Sequence, residues 1–251
     1  MTAKIIVKML LFPIYSLINS KIGFSVFFKS GSQWMLSTRG VTVPVNSFSL
    51  TAIEYFRHFV PDRGSVVFDV GGELGLEARQ FSEIVGEKGR VFTFECLPTH
   101  LEALNKIAKD RPNLQVINKA CWNRKETLTF FEGLTPGSGT AVPDAKGQRG
   151  QDLANTDGEE INVEADTLDR LWEEYAGGCE VDFLKMDIEG AEYEALEAAT
   201  SLLKKTTKVV IAAYHLRDGV RTADKVAEML KESGFEVRID ENDHVYGLRI
   251  S

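Results

Sequence analysis

The chain has 251 residues, a formal net charge of −8, and 26% charged and 43% hydrophobic side chains; this excludes a disordered chain and, with no basic run to neutralise phosphates, disfavours nucleic acid as a partner. That length holds one substantial α/β domain with a small appendage rather than two full domains. Cys96, Cys121 and Cys179 form no CxxC pair and have no histidine at ligand spacing, so neither a disulfide framework nor zinc is expected and a reducing, cytoplasmic setting fits.

Residues 1–64 read as an N-terminal extension: an apolar helix over residues 5–18, strand-like runs at 24–28 and 41–45, and a helix near 50–60. The first segment is interrupted by Lys8 and Pro13 and is too short to span a membrane. With Lys4, Lys8 and Lys21 beside it, that helix has two destinations. One is a membrane surface, where it would bring the protein to a lipid-linked glycan; the other is a packed position over the sheet or in a homodimer seam.

Pro61 to Gly64 punctuate the chain, and residues 65–251 then alternate regularly between strand and helix. Residues 65–70 are a continuous apolar run, followed by glycines and by Leu76, Phe81, Ile84 and Val85 at helical spacing. A second strand at 90–95 leads to a helix with Leu97, Leu101, Leu104 and Ile107 on one face, and a third strand lies at 114–118. Residues 127–131 and 161–165 are strand-like and flank a polar loop or lid at 133–160. The fourth strand, 181–186, precedes a helix with Tyr193, Leu196 and Leu203 turned inward; the fifth, 208–213, precedes a helix closed by Gly234. Unbroken apolar strands are buried on both faces, so a doubly wound, mostly parallel sheet is expected. Residues 235–240 and 245–250, joined by four residues, must pair antiparallel.

The strongest local signal is Asp69-Val70-Gly71-Gly72-Glu73-Leu74-Gly75, where a strand hands over to a helix whose free N–H groups attract an anionic group. A dinucleotide fingerprint starting at Gly71 would need glycine where Glu73 and Leu76 stand, so that spacing fails. Glu73 would repel pyrophosphate, whereas a sulfonium cation tolerates it. About twenty residues beyond the turn, Glu95 ends the second strand, where a carboxylate can accept both hydroxyls of a ribose.

Asp187 and Glu189 follow the fourth strand at the sheet edge that lines the ligand crevice of open α/β folds. They are read as functional, while Glu192 and Glu194 are read as exposed first-turn residues favoured by the helix dipole. His215, after the fifth strand, could take a proton from an acceptor or help hold a metal.

These blocks resemble the FkbM family of methyltransferases over about residues 65–215, through Phe68 to Gly72, Phe94-Glu95, Thr167-Leu168-Asp169 and, most specifically, Phe183 to Glu192. The resemblance implies a Rossmann-like class I methyltransferase fold with a C-terminal antiparallel hairpin. It also implies S-adenosyl-L-methionine as donor and O-methylation of a sugar, glycan or natural product. Carried over, Asp69, Gly71, Gly72, Glu73 and Gly75 would wrap the methionine half, Glu95 the ribose, and the stretch 118–121, with Ala120 and Cys121, the adenine. Cys96 stands where the family usually has proline, Glu73 where it has a neutral polar residue, and Leu76 where it has an aromatic. Asp187, Glu189 and His215 would face the acceptor, with Asp187 or His215 as base and Glu189 positioning the acceptor or sharing a divalent metal. The extension over residues 1–64 could help choose the acceptor. A nicotinamide-dependent oxidoreductase and a catalytically silent binding module are the competing readings. The failed glycine spacing opposes the first, and retention of Glu95, Asp187 and His215 opposes the second.

Overall fold

The computed structural model describes residues 55–132, 139–140, 159–217 and 219–250, together with the backbone of five strands between residues 5 and 45; side chains are described within 55–130, 161–217 and 219–250. Strands β1 (Ile5–Leu10), β2 (Phe12–Asn19), β3 (Gly23–Ser30), β4 (Gln33–Thr38) and β5 (Val41–Val45) form an antiparallel meander in chain order. The helix expected over residues 5–18 is therefore corrected to the hairpin β1–β2. Ile5, Ile6, Val7 and Ile14 are β-branched and favour extended backbone, and Pro13 would break a helix interior. The helix face invoked for a membrane surface or a dimer seam is thus not formed. The helix expected near residues 50–60 falls mostly outside the described residues, as does the lid at 133–160.

Among the described residues the main sheet has seven strands: β6 (Val66–Val70), β7 (Arg90–Glu95), β8 (Leu114–Asn118), β13 (Val181–Met186), β14 (Thr206–Ala212), β17 (Phe235–Ile239) and β18 (His244–Arg249). Their spatial order is β17-β18-β14-β13-β6-β7-β8. β14, β13, β6, β7 and β8 run parallel, and β18 enters antiparallel between β14 and β17. A smaller sheet of β9 (Ala120–Trp122), β10 (Glu126–Glu132), β11 (Gly139–Thr140) and β12 (Glu159–Thr167) flanks one end.

Alternation along the strands makes two cores. One face of the sheet, with Val67, Val91, Phe183 and Val210, packs under α1 (Leu76–Val85), Leu104 of α2 (Pro98–Ala108), and Tyr55 and Phe56. The other, with Phe68, Phe92, Leu184, Val209 and Ile211, packs against α3 (Leu168–Ala176), α5 (Thr200–Lys204) and α6 (Ala223–Glu232). The helix expected after β13 is divided into α4 (Glu192–Glu197) and α5. Asp169, at the start of α3, accepts the Ser201 and Leu202 backbone N–H groups and so caps the second piece, while Thr167 accepts the Arg170 N–H and caps α3. Among the described residues no helix is long and apolar enough to cross a membrane.

Candidate active site

The carboxyl ends of β6, β7 and β13 open onto a cleft whose empty space, counting its open mouth, is about 830 Å³. At the end of β6 the backbone turns through Gly71 at φ +83°, where a Cβ would lie 1.8 Å from the Asp187 carbonyl oxygen. Glycine is required here first for the close passage of two strand ends. Asp187 N–H in turn donates to the Val70 carbonyl at 2.9 Å, tying the glycine turn to the end of β13.

Beneath this turn lies a polar row set by strand register. Lys185 is paired across the ladder with Asp69, and Asp69 with Thr93. Lys185 Nζ sits 3.3 Å from Asp69 Oδ1 and donates to the Gly71 carbonyl at 2.5 Å, while Thr93 Oγ1 donates to Asp69 Oδ2 at 2.9 Å. Burial pushes the Asp69 carboxyl up despite Lys185. Burial alone would lower the Lys185 ammonium, but Asp69, Asp187 and Glu77 around it raise it above its ordinary range. Asp69 is fully buried and, like Gly72 and Gly75, stands behind the cleft wall rather than in it. It shapes the turn through Lys185.

Glu95 does line the cleft. Its Oε1 accepts the Cys96 N–H at 2.6 Å and the Leu97 N–H at 2.9 Å, and its Oε2 accepts the Glu73 N–H at 2.9 Å and faces His100 Nδ1 at 3.4 Å. Burial raises this carboxyl, but His100 and the backbone donors outweigh burial and hold it below its usual value. Cys96, Ala120, Cys121, Trp122, Leu128 and Phe130 form the apolar wall beside it. Burial pushes both wall thiols far above their ordinary range, so they remain neutral and unreactive. Glu77, a further lining residue on the first turn of α1, is raised by burial to about 7, against the pull of Lys185.

On the opposite wall Asp187 Oδ2 accepts the Tyr55 hydroxyl at 2.7 Å and the Tyr214 hydroxyl at 3.1 Å. Burial raises Asp187, yet Lys185, His215 and the two phenols bring it below the usual carboxylate range. His215 is 2% exposed, with Nε2 3.3 Å from Glu189 Oε2 and 3.8 Å from Asp187 Oδ1, and Nδ1 3.1 Å from Glu192 Oε1. Glu192 is the clear departure from the sequence reading. Expected exposed, it is 0% exposed, because the first turn of α4 faces His215 rather than solvent. Glu194 is half-buried and ion-paired with Arg217 at 2.9 Å.

The structure thus brings Glu73, Glu95, Cys96, Ala120, Cys121, Asp187 and Glu189 to one cleft, with His215 directly behind Asp187 and Glu189. Sequence reasoning missed Tyr55, His100, Glu77, Trp122 and Tyr214, none of which carries a local signal. It also left Lys185 without a role, although a lysine inside an otherwise apolar strand requires a buried partner, and Asp69 stands likewise one residue before its strand's end.

A parallel sheet closed by an antiparallel strand inserted before its edge, with a cleft at the strand carboxyl ends, is the fold of class I S-adenosylmethionine-dependent methyltransferases. The chain belongs to the FkbM methyltransferase family: the pattern described as the methyltransferase FkbM domain matches residues 69–237. It is 27% identical over 200 residues to the methyltransferase sdnD of Sordaria araneosa, covering 69% of this chain and 74% of that one. The crystal structure of methyltransferase FkbM from Methylobacillus flagellatus superimposes with a TM-score of 0.52 at 19% identity, over 77% of this chain and 46% of that one. The chain therefore spans less than half the length of that relative. Fibrillarin from Aeropyrum pernix, solved with natively bound S-adenosyl-L-methionine, gives a TM-score of 0.51 at 14% identity over 99% of this chain and 100% of that one. At these identities the two structural likenesses speak for the fold alone.

Proposed function

We propose that the chain transfers the methyl group of S-adenosyl-L-methionine to a hydroxyl of a small molecule, a sugar or natural product, seated against Asp187. The observation that carries this reading is the pair of phenols on Asp187 Oδ2. They mark a carboxylate oxygen of the cleft lining that receives hydroxyl donors. An acceptor hydroxyl would take the place of one of them.

On the donor side, the Gly71–Gly75 turn would hold the methionine half, and the wall from Cys96 to Phe130 would cover the adenine. A ribose diol would share Glu95 Oε2 and replace the Glu73 N–H or His100 there. Glu73 and Glu77 would set carboxyl oxygens beside the sulfonium, where a cation favours their charged form. The protein's main contribution to the rate is then to hold the sulfonium methyl in line with the acceptor oxygen, away from water. As the oxygen–carbon bond forms, sulfur keeps the electron pair of the breaking bond and the acceptor proton passes to Asp187. His215 is not the base in this reading. It lies behind Asp187 and Glu189, with Nδ1 turned to Glu192 and Nε2 to those two carboxylates.

Calorimetry with S-adenosylhomocysteine and with NAD, followed by transfer of a labelled methyl group into a fractionated extract of the source organism, tests the reading. Binding of the thioether and a labelled hydroxyl product are expected. Heat with NAD alone, or label on a phosphate-rich nucleic acid fraction, would overturn it.

A further inference from the structure

We propose that Asp187, Glu189 and His215 form a binding site for one divalent cation of the Mn²⁺ or Mg²⁺ kind, with Glu192 as the residue that orients the histidine. The inference rests on the acceptor reading above and adds the means by which a weakly acidic hydroxyl would be activated.

Three observations carry it. One ligand atom from each of the three residues lies within 4.8 Å of the other two, and the Nε2 distances to Glu189 Oε2 and Asp187 Oδ1 are 3.3 and 3.8 Å. Neighbouring ligands around a small divalent ion bound at about 2.1 Å lie roughly 3 Å apart, so the cluster would draw in from separations of up to 4.8 Å on binding. Second, Asp187 Oδ1 and His215 Nε2 are shut off from solvent, yet neither makes an aligned hydrogen bond. These two buried polar atoms, 3.8 Å apart, thus converge with Glu189 Oε2 on one point. Third, Glu192 Oε1 lies 3.1 Å from His215 Nδ1 and is itself held by the Gly190 N–H at 3.1 Å. A carboxylate on Nδ1 keeps the proton there and presents the Nε2 lone pair outward, the arrangement that orients metal-bound histidines.

The electrostatics agree. The cleft lining carries Glu73, Glu77, Glu95, Asp187 and Glu189 against Lys119 and Lys185. Lys185 is committed to Asp69 and the Gly71 carbonyl, and Lys119 to Glu164. Oxygen ligands with a single imidazole suit Mn²⁺ and Mg²⁺ better than softer metals. Bound there, the ion would face the acceptor oxygen and lower the cost of its losing a proton.

The test uses the full chain, stripped with chelator and dialysed, and titrates Mn²⁺ alone while following free Mn²⁺ by electron paramagnetic resonance. Wild type should take up one ion per chain. Glu189→Gln and His215→Gln should abolish stoichiometric uptake, and Glu192→Gln should weaken it about 10- to 100-fold. Circular dichroism and S-adenosylhomocysteine calorimetry on the same samples separate the possible failures. If every variant folds and binds the thioether but wild type takes up no Mn²⁺, or Glu189→Gln takes up as much as wild type, the cation site is overturned and the methyltransferase reading stands. If wild type does not bind the thioether, the reading beneath it falls.

Discussion

The two walls of the cleft are built in different ways. The wall proposed to hold the donor is local: the bond from Glu73 N–H to Glu95 joins residues 22 apart, and the remaining backbone donors to Glu95 are its own next neighbours. The wall proposed to face the acceptor is remote: Tyr55 and Asp187 are 132 residues apart, and His215 reaches back to Glu192, Glu189 and Asp187. A site made of backbone donors within one strand–helix–strand unit can be kept while the rest of the chain changes. A site made of side chains from an N-terminal segment, β13, α4 and the loop after β14 can be retuned by any of them. One scaffold can therefore keep its donor and vary its acceptor.

That contrast can be broken by substitution. The largest effect is expected from Asp187→Asn, which removes the proton acceptor without changing shape: turnover should fall by about 10²- to 10⁴-fold, while donor binding by calorimetry holds. Equal losses in both would mean that the two walls are not separable. Next is Lys185→Met, which leaves Asp69 buried without its cation. Chemical denaturation should show a loss of about 3–5 kcal/mol, and adding Asp69→Asn should return part of it, because no lone charge then remains. A stability unchanged by the single substitution would remove the polar row from the account.

Glu95→Ala should weaken S-adenosylhomocysteine binding by roughly 1.5–3 kcal/mol, with acceptor affinity unaffected. The reverse pattern would exchange the two walls. The smallest effect sharpens the donor side. Glu77 sits near 7, raised by burial, above the ordinary glutamate value of about 4.3. The folded state therefore holds its proton more tightly than the unfolded chain, and stability should decline as pH rises through about 4.3 to 7. Glu77→Gln should flatten that decline in thermal unfolding, and an unaltered slope would place the titration elsewhere.

Much of this was legible in the sequence. The unbroken apolar runs gave β6, β7, β13 and β14, the four-residue link gave the hairpin of β17 and β18, and the glycine turn with Glu95 marked one wall of the cleft. These depend on neighbours in sequence: backbone conformation, strand burial and the reach of one carboxylate. Residues 5–18 misled because an apolar segment of β-branched residues has no periodicity that tells helix from strand. Glu192 misled because the favour that a helix dipole shows an acid is the same whether the turn faces water or a histidine.

What the sequence by itself determined is the parallel sheet, its glycine turn and the adjacent carboxylate, since local chain geometry specifies each of them. Only the tertiary structure decided that Lys185 serves Asp69 beneath that turn, that Tyr55 and Tyr214 meet on Asp187, and that Glu192 is buried against His215. Those contacts depend on strand register and on which faces pack together, and such distances between remote residues are written in no single stretch of chain.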